Sequence, residues 1–157
     1  INHCGEVCAQ GLYHGQALSA RNQSSKDHLL SAADDEQKHL IWCQGRLKEL
    51  NARTSYLNPI WYLSSFATGT VTGFMGDKVS LGFVAATEEE VCKHLDQHLE
   101  QLPESDHRSR EILEAIKADE QHHQEDARSH GGAEFPSFIK KMMTLSSKLM
   151  TRSTRWI

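Results

Sequence analysis

The chain has 157 residues, enough for one domain with its own core. Seventeen basic against twenty-one acidic side chains give a net charge of −4 with both signs interspersed, so there is no basic stripe to suggest a nucleic-acid partner. Ten histidines raise the question of a metal, while four cysteines with no Cys-x-x-Cys spacing read as free thiols in a reducing compartment. The chain opens on Ile1 with no visible signal peptide, and the expectation is that residues precede it.

From residue 1 to 22, Glu6, Ala9, Tyr13, Ala17 and Ala20 recur at steps of three and four, the period of a helix. Glu6 is the one acid in this small, apolar stripe. Two readings stand: a cap or dipole partner at the helix start, or a buried carboxylate that needs a cation. Asn22 to Ser25 read as a turn offering an N-cap, and 25–52 as the next helix. Its stripe is Leu29, Ala32, Glu36, His39, Leu40, Cys43, Leu47 and Leu50, with Glu36 and His39 in the middle. The opposite face carries Lys26, Asp34, Gln37, Lys38, Gln44 and Lys48, where a mere surface ion pair would belong. A hydrogen-bonded core histidine with a glutamate partner is the structural alternative to a metal pair.

Residues 56–83 are apolar and dotted with glycine, with almost no charge before Asp77 and Lys78. Asn58, Pro59, Ser64, Ser65, Thr68, Thr70 and Thr72 make the stretch too polar for a membrane span. It is either a buried crossover that begins the third bundle helix or an apolar surface for a membrane interface or a greasy substrate. In 84–102, Glu88, Val91, Leu95, His98, Leu99 and Leu102 are in phase, so Glu88 points inward from the Glu88-Glu89-Glu90 run, and His94 lies near that face. Pro103 closes this helix and Ser105 or Asp106 caps the next. Over 106–130 the stripe is Leu113, Ile116, Glu120, His123 and Ala127; His122 falls off it, and Asp119 is a candidate acceptor for a ligand imidazole. Pro136 starts a closing amphipathic helix over 136–155, whose methionine-rich face (Met142, Met143, Met150) is expected to pack into the core. Its other side is basic, with Lys140, Lys141, Lys148, Arg152 and Arg155, and could touch anionic lipid.

Two Glu-x-x-His pairs, each inside an apolar stripe, and two further helices each with an inward Glu form the ligand set of a carboxylate-bridged di-metal bundle. The expected fold is therefore all-α: a single ferritin-like four-helix domain over 1–157 with a long apolar crossover at 56–83 and an extra C-terminal helix. Glu6, Glu36, His39, Glu88, Glu120 and His123 are the expected ligands. Four carboxylates balance two divalent ions, and hard-to-borderline donors suit iron or manganese better than zinc. Two iron ions per chain are expected, with a reductant such as NADH or reduced quinol. The set does not select among ferroxidases, oxygenases, desaturases and radical-generating subunits.

Details beyond the ligands narrow the choice. Asn2-His3-Cys4-Gly5-Glu6, Leu57-Asn58-Pro59-Ile60-Trp61-Tyr62, Asp77-Lys78-Val79-Ser80-Leu81-Gly82-Phe83-Val84, Asp119-Glu120-Gln121-His122-His123 and Met150-Thr151-Arg152 resemble the demethoxyubiquinone hydroxylases, di-iron monooxygenases of ubiquinone biosynthesis, in their bacterial form. The likeness runs over the whole chain. It departs at Cys4, where the family usually has Ala, and at Leu95, which follows His94 where the family has a tyrosine partner. The resemblance implies the same six iron ligands, and a role for His94 in redox or electron delivery without that tyrosine. It implies ring hydroxylation of 2-polyprenyl-3-methyl-6-methoxy-1,4-benzoquinol with O2, at a membrane surface without spanning it. The implied location is the cytoplasmic face of the bacterial inner membrane, or the matrix side of the mitochondrial inner membrane, with accessory proteins of ubiquinone biosynthesis or a second copy as further partners. Two alternatives are a ferroxidase or iron-storage bundle, and a non-catalytic module with a structural metal.

Overall fold

Helix caps and prolines divide the chain where the sequence places them. The computed structural model describes residues 1–156 and, among them, six helices and no strand: α1 (Asn2–Ser19), α2 (Gln23–Glu49), α3 (Asn58–Phe74), α4 (Asp77–Gln101), α5 (His107–Ser129) and α6 (Ser137–Trp156). Ile157, the end of the expected domain, lies outside the described residues. The Asn22 side chain accepts from the Ser24 N–H at 2.9 Å and starts α2, and the Asp106 carboxylate accepts from the Ser109 N–H at 3.0 Å and starts α5. Pro59 sits in the first turn of α3, where its missing N–H costs nothing. Two carboxylates at helix starts also bind elements together. The Asp77 carboxylate accepts from the backbone N–H groups of Arg21 and Asn22, fixing the α1–α2 turn to the start of α4. Arg46 reaches from α2 to Asp106 at 2.8 Å.

The hairpin α1–α2 packs on the hairpin α4–α5, and these four helices form the bundle. Its apolar core is in two parts. One gathers Ala9, Tyr13, Ala17, Leu29, Ala32, Ala33, Val84, Ala85 and Ala127; the other gathers Cys43, Leu95, Leu113 and Ile116. Along α2, α4 and α5 the buried acids Glu36, Glu88 and Glu120 fall between these two parts. Emptying either part is costly: truncating the fully buried Ile116 to Ala is worth about 2–5 kcal/mol.

The crossover differs from expectation in its boundary. Residues 56–83 are not one unit: α3 ends at Phe74, and residues 77–83 already belong to α4, with Ser80, Leu81 and Gly82 buried. The break is at Gly76, whose φ of 110° is left-handed and ends helical continuity. So α3 is a helix of its own and does not begin the third bundle helix. It lies along α1 through small residues: a Cβ on Gly69 would strike the backbone of Leu12 and Gln16, and one on Gly15 the backbone of Phe66 and Thr70. With glycines against α1, the large side chains Ile60, Leu63, Val71 and Phe74 are left outside, Phe74 being 67% exposed.

The expectation that the methionine-rich face of α6 packs into the core is overturned. Phe138, Met142, Leu145 and Leu149 face outward, with Leu145 69% exposed, while Met143 and Met150 are half-buried and belong to neither core cluster. The helix is held to α4 by its other edge, where Lys140 donates to Glu89 at 2.8 Å and Thr144 to Glu90 at 3.0 Å. Periodicity shows that a helix has an apolar face but not that a partner covers it. No described helix is long and apolar enough to cross a membrane.

Candidate metal centre

Each of the four bundle helices brings a carboxylate to the level between the two core clusters. Glu6 of α1, Glu36 of α2, Glu88 of α4 and Glu120 of α5 are all at least 97% removed from solvent, their exposures being 3, 0, 0 and 1%. His39 and His123, one helical turn after Glu36 and Glu120, are buried with them, while His122 faces solvent as its phase predicts.

The geometry is two-fold in character. His39 Nδ1 lies 3.5 Å from Glu6 Oε2, 3.4 Å from Glu36 Oε2 and 3.4 Å from Glu120 Oε1. His123 Nδ1 lies 3.2 Å from Glu120 Oε2 and 3.8 Å from Glu36 Oε1. Glu36 and Glu120 thus each turn one oxygen to one imidazole and the other oxygen to the other imidazole. The donors fall into two overlapping groups, Glu6, Glu36, His39 and Glu120, and Glu36, Glu88, Glu120 and His123, each with its ligand atoms within 4.8 Å of one another. All six residues expected from the sequence are brought together in these two groups.

The outer nitrogens are held by two aspartates. His39 Nε2 lies 3.0 Å from Asp119 Oδ2, and His123 Nε2 lies 3.3 Å from Asp35 Oδ2. With Nε2–H donating to a carboxylate, the lone pair sits on Nδ1, aimed at the glutamates, as a metal-binding imidazole requires. Asp119 thereby supports the histidine of α2, and Asp35 that of α5. The sequence reading found Asp119 but missed Asp35, which looks like one more acid on a solvated face. The signal was the repeated Asp-Glu-x-x-His, at Asp35-Glu36 and His39 and again at Asp119-Glu120 and His123.

The residues fit a cation on the structure's own terms. Both oxygens of Glu36, both oxygens of Glu88, and His39 Nδ1 are buried without a hydrogen-bond partner, an expensive condition unless something else satisfies them. The electrostatics carry the same strain. Burial, then the neighbouring charge of Glu120, pushes the Glu36 and Glu88 carboxyls well above the usual carboxylate range. Glu120 is also pushed up by burial, but the neighbouring imidazoles of His123 and His39 outweigh it and hold it at about 2. Burial depresses both imidazoles, and the surrounding carboxylates, Glu120 foremost, reverse this and raise them. The shifts of His39, His123, Glu36 and Glu88 all run toward holding protons, which offset the negative charge a bound cation would otherwise neutralise.

His94 stands apart from the six. It is partly buried on α4 with its ring 5.7 Å from that of His98, and it belongs to neither ligand group. Tyr13, which the sequence placed only in a stripe, is fully buried and sets its ring edge-on to His123 at 6.4 Å. One turn beyond His39, Cys43 joins His3, Arg46, Leu47, His98 and Leu102 among the residues lining a cleft of about 350 Å³ at the end of the bundle. All four cysteines are free, as their spacing suggested.

Fold and site together define a class: the ferritin-like helical bundle with a buried carboxylate–histidine cluster able to hold metal. Within it, the chain belongs to the family described as Ubiquinone biosynthesis protein COQ7, whose model matches residues 1–154. Three relatives named 3-demethoxyubiquinol 3-hydroxylase are similar over nearly all of it. The protein of Azotobacter vinelandii is 55% identical over 98% of this chain and 72% of its own length. That of Ectopseudomonas mendocina is 54% identical with the same coverage, and that of Acinetobacter baumannii is 54% identical over 100% of this chain and 74% of its own.

Proposed function

We propose that this protein is a 3-demethoxyubiquinol 3-hydroxylase, hydroxylating the ring of 2-polyprenyl-3-methyl-6-methoxy-1,4-benzoquinol at a di-iron centre held by Glu6, Glu36, His39, Glu88, Glu120 and His123. The observation that carries the reading is the pair of overlapping donor groups that share Glu36 and Glu120, on a chain whose relatives bear that name. Iron bound there would supply O2 reduction, one oxygen atom going to the ring and the other leaving as water, with two electrons and two protons per turnover drawn from a reductant such as NADH or reduced quinol and from solvent. The chain's own contribution is positional. Glu36 and Glu120, common to both donor groups, would serve both ions, Glu6 and Glu88 would each serve one, and Asp119 and Asp35 hold the imidazole tautomers. The surrounding apolar clusters exclude bulk water. The cleft one turn from His39 is the approach for the quinol ring.

The substrate's isoprenoid tail belongs in a bilayer, and two features support a peripheral enzyme on its surface. The outward apolar sides of α3 and α6 offer Ile60, Leu63, Phe74, Met142, Leu145 and Leu149. Lys141, Lys148, Arg152 and Arg155 on α6 are placed for anionic headgroups. The cytoplasmic face of a bacterial inner membrane is the location this supports, and a second copy or an accessory protein of ubiquinone biosynthesis would meet the same apolar faces. His94 is proposed to serve electron delivery. The test is product formation: iron-loaded protein given reductant, O2 and a demethoxyquinol should yield hydroxylated quinol. Iron oxidation with mineral accumulating and no product would replace this reading with a ferroxidase.

A further inference from the structure

A second group of donors lies at the end of the bundle away from the cleft, where α2 begins and α5 ends. We propose that His28, Asp126 and His130 form a separate binding site for one borderline divalent ion of the zinc or copper type. Asp126 and His130 are one turn apart at the end of α5, and His28 faces them from the second turn of α2. The Asp126 carboxylate spans the two rings, with Oδ2 3.0 Å from His28 Nδ1 and Oδ1 3.5 Å from His130 Nδ1. The rings are stacked, 5.1 Å between centroids and 20° from parallel. The three residues each present a ligand atom within 4.8 Å of the others.

A tetrahedral ion at about 2.0–2.2 Å needs its donors roughly 3.3–3.6 Å apart. The remaining closure falls to His130 and Asp126, whose side chains are 43 and 34% exposed, with His130 Nδ1 also leaving Ser129 Oγ, now 3.3 Å away. His130 would give up its present contact with the Asp126 carbonyl, 2.9 Å from Nδ1. His28 is the fixed member. It is nearly buried, with Nδ1 turned to the Asp126 carboxylate at 3.0 Å.

The donor set separates this site from the centre. Two imidazoles and one carboxylate give a single negative charge and a nitrogen-rich environment, against four carboxylates inside the bundle, and for such a site the affinity order of the divalent ions places zinc and copper above ferrous iron. Three protein ligands leave a position for water on the exposed side. Bound there, the ion would tie α2 to α5, the two helices that carry the Glu-x-x-His pairs.

The test is an ion count by native mass spectrometry on the full chain titrated with Zn2+. His130→Ala, the exposed member, should keep the fold and hold one fewer ion than wild type, and His28→Ala should also lose one, with affinity at this site down by more than the ~10–100-fold that an outer-shell partner is worth. His122→Ala, an exposed neighbour, should leave the count unchanged. The difference of one between wild type and His130→Ala is expected whether or not the bundle centre fills, so failure of the central assignment would not imitate failure here. An unchanged count in both His130→Ala and His28→Ala, or loss of the same ion in His122→Ala, would overturn the proposal.

Discussion

The middle of the bundle and its outer faces break the ordinary rule of globular proteins in opposite directions. Inside, four glutamates and two histidines are almost completely removed from water between two apolar clusters. Outside, α3 and α6 leave Ile60, Leu63, Phe74, Met142, Leu145 and Leu149 in solvent. Each inversion is costly in isolation, and each would be relieved by a partner of the matching chemistry: cations for the first, an apolar phase for the second. A protein that must bring a lipid-borne ring to a charged centre needs both. The two regions should therefore fail differently when altered.

The largest effect is expected at the shared carboxylates. Glu36→Gln and Glu120→Ala should reduce bound metal well below wild type and lower hydroxylation on the order of a thousandfold or more, read as iron per chain and as product per unit time. Because Glu36 is already pushed toward its neutral form in the metal-free protein, Glu36→Gln should melt at nearly the wild-type temperature without metal. It should then miss the gain that metal gives wild type, about 2.7 kcal/mol at a hundredfold excess over Kd, or roughly 5–11 °C. Activity retained at low metal content would break the link between the interior inversion and the chemistry.

Next come the aspartates that hold the imidazoles. Asp35→Asn and Asp119→Asn should weaken metal binding about 10–100-fold while the metal-free protein stays folded, measured by competition against a chelator of known affinity. Equal losses at the two positions would match their equivalent places behind His123 and His39.

Proton linkage gives a smaller, signed effect. In the metal-free protein His39, His123, Glu36 and Glu88 all have raised pKa values. The native state therefore holds more protons than the unfolded chain, and stability from these groups is complete below the unfolded values of 4.5 and 6.5 and declines as pH rises beyond them. Metal must displace those protons, so its affinity should rise with pH over the same interval. Chemical denaturation of metal-free protein at pH 6 and 8, beside metal titrations at the same pH values, checks both slopes.

The outer faces should give the mildest change. Phe74→Asp and Leu145→Asp should leave metal content intact and lower vesicle binding, with turnover of a long-tailed quinol reduced several-fold more than that of a short-tailed analogue. Equal losses with both substrates would remove the membrane role from α3 and α6.

The interior was legible in the sequence because phase alone sorts it. Glu6, Glu36, Glu88 and Glu120 sit in apolar stripes, and four such acids on four helices point to a shared cation more than to separate caps or core hydrogen bonds. Asp35 was not legible because its function depends on a neighbouring helix: from α2 alone it is a surface acid, and only the packing of α5 sets it against His123. The outer faces were half legible. The apolar content of α3 pointed to a surface, yet its limits needed the left-handed Gly76 and the glycine contacts with α1 to be seen. The methionine-rich face of α6 reads as core from its period, and what overturns that is the polar edge, Lys140 and Thr144, by which the helix is attached.

The most direct test is metal content per chain in protein purified and iron-loaded without oxygen, followed by O2 addition with and without a demethoxyquinol. The account predicts about two irons for the two overlapping donor groups, and hydroxylated product only when quinol is present. One zinc, or no bound metal at all, would contradict the assignment of the six ligands and the chemistry built on them.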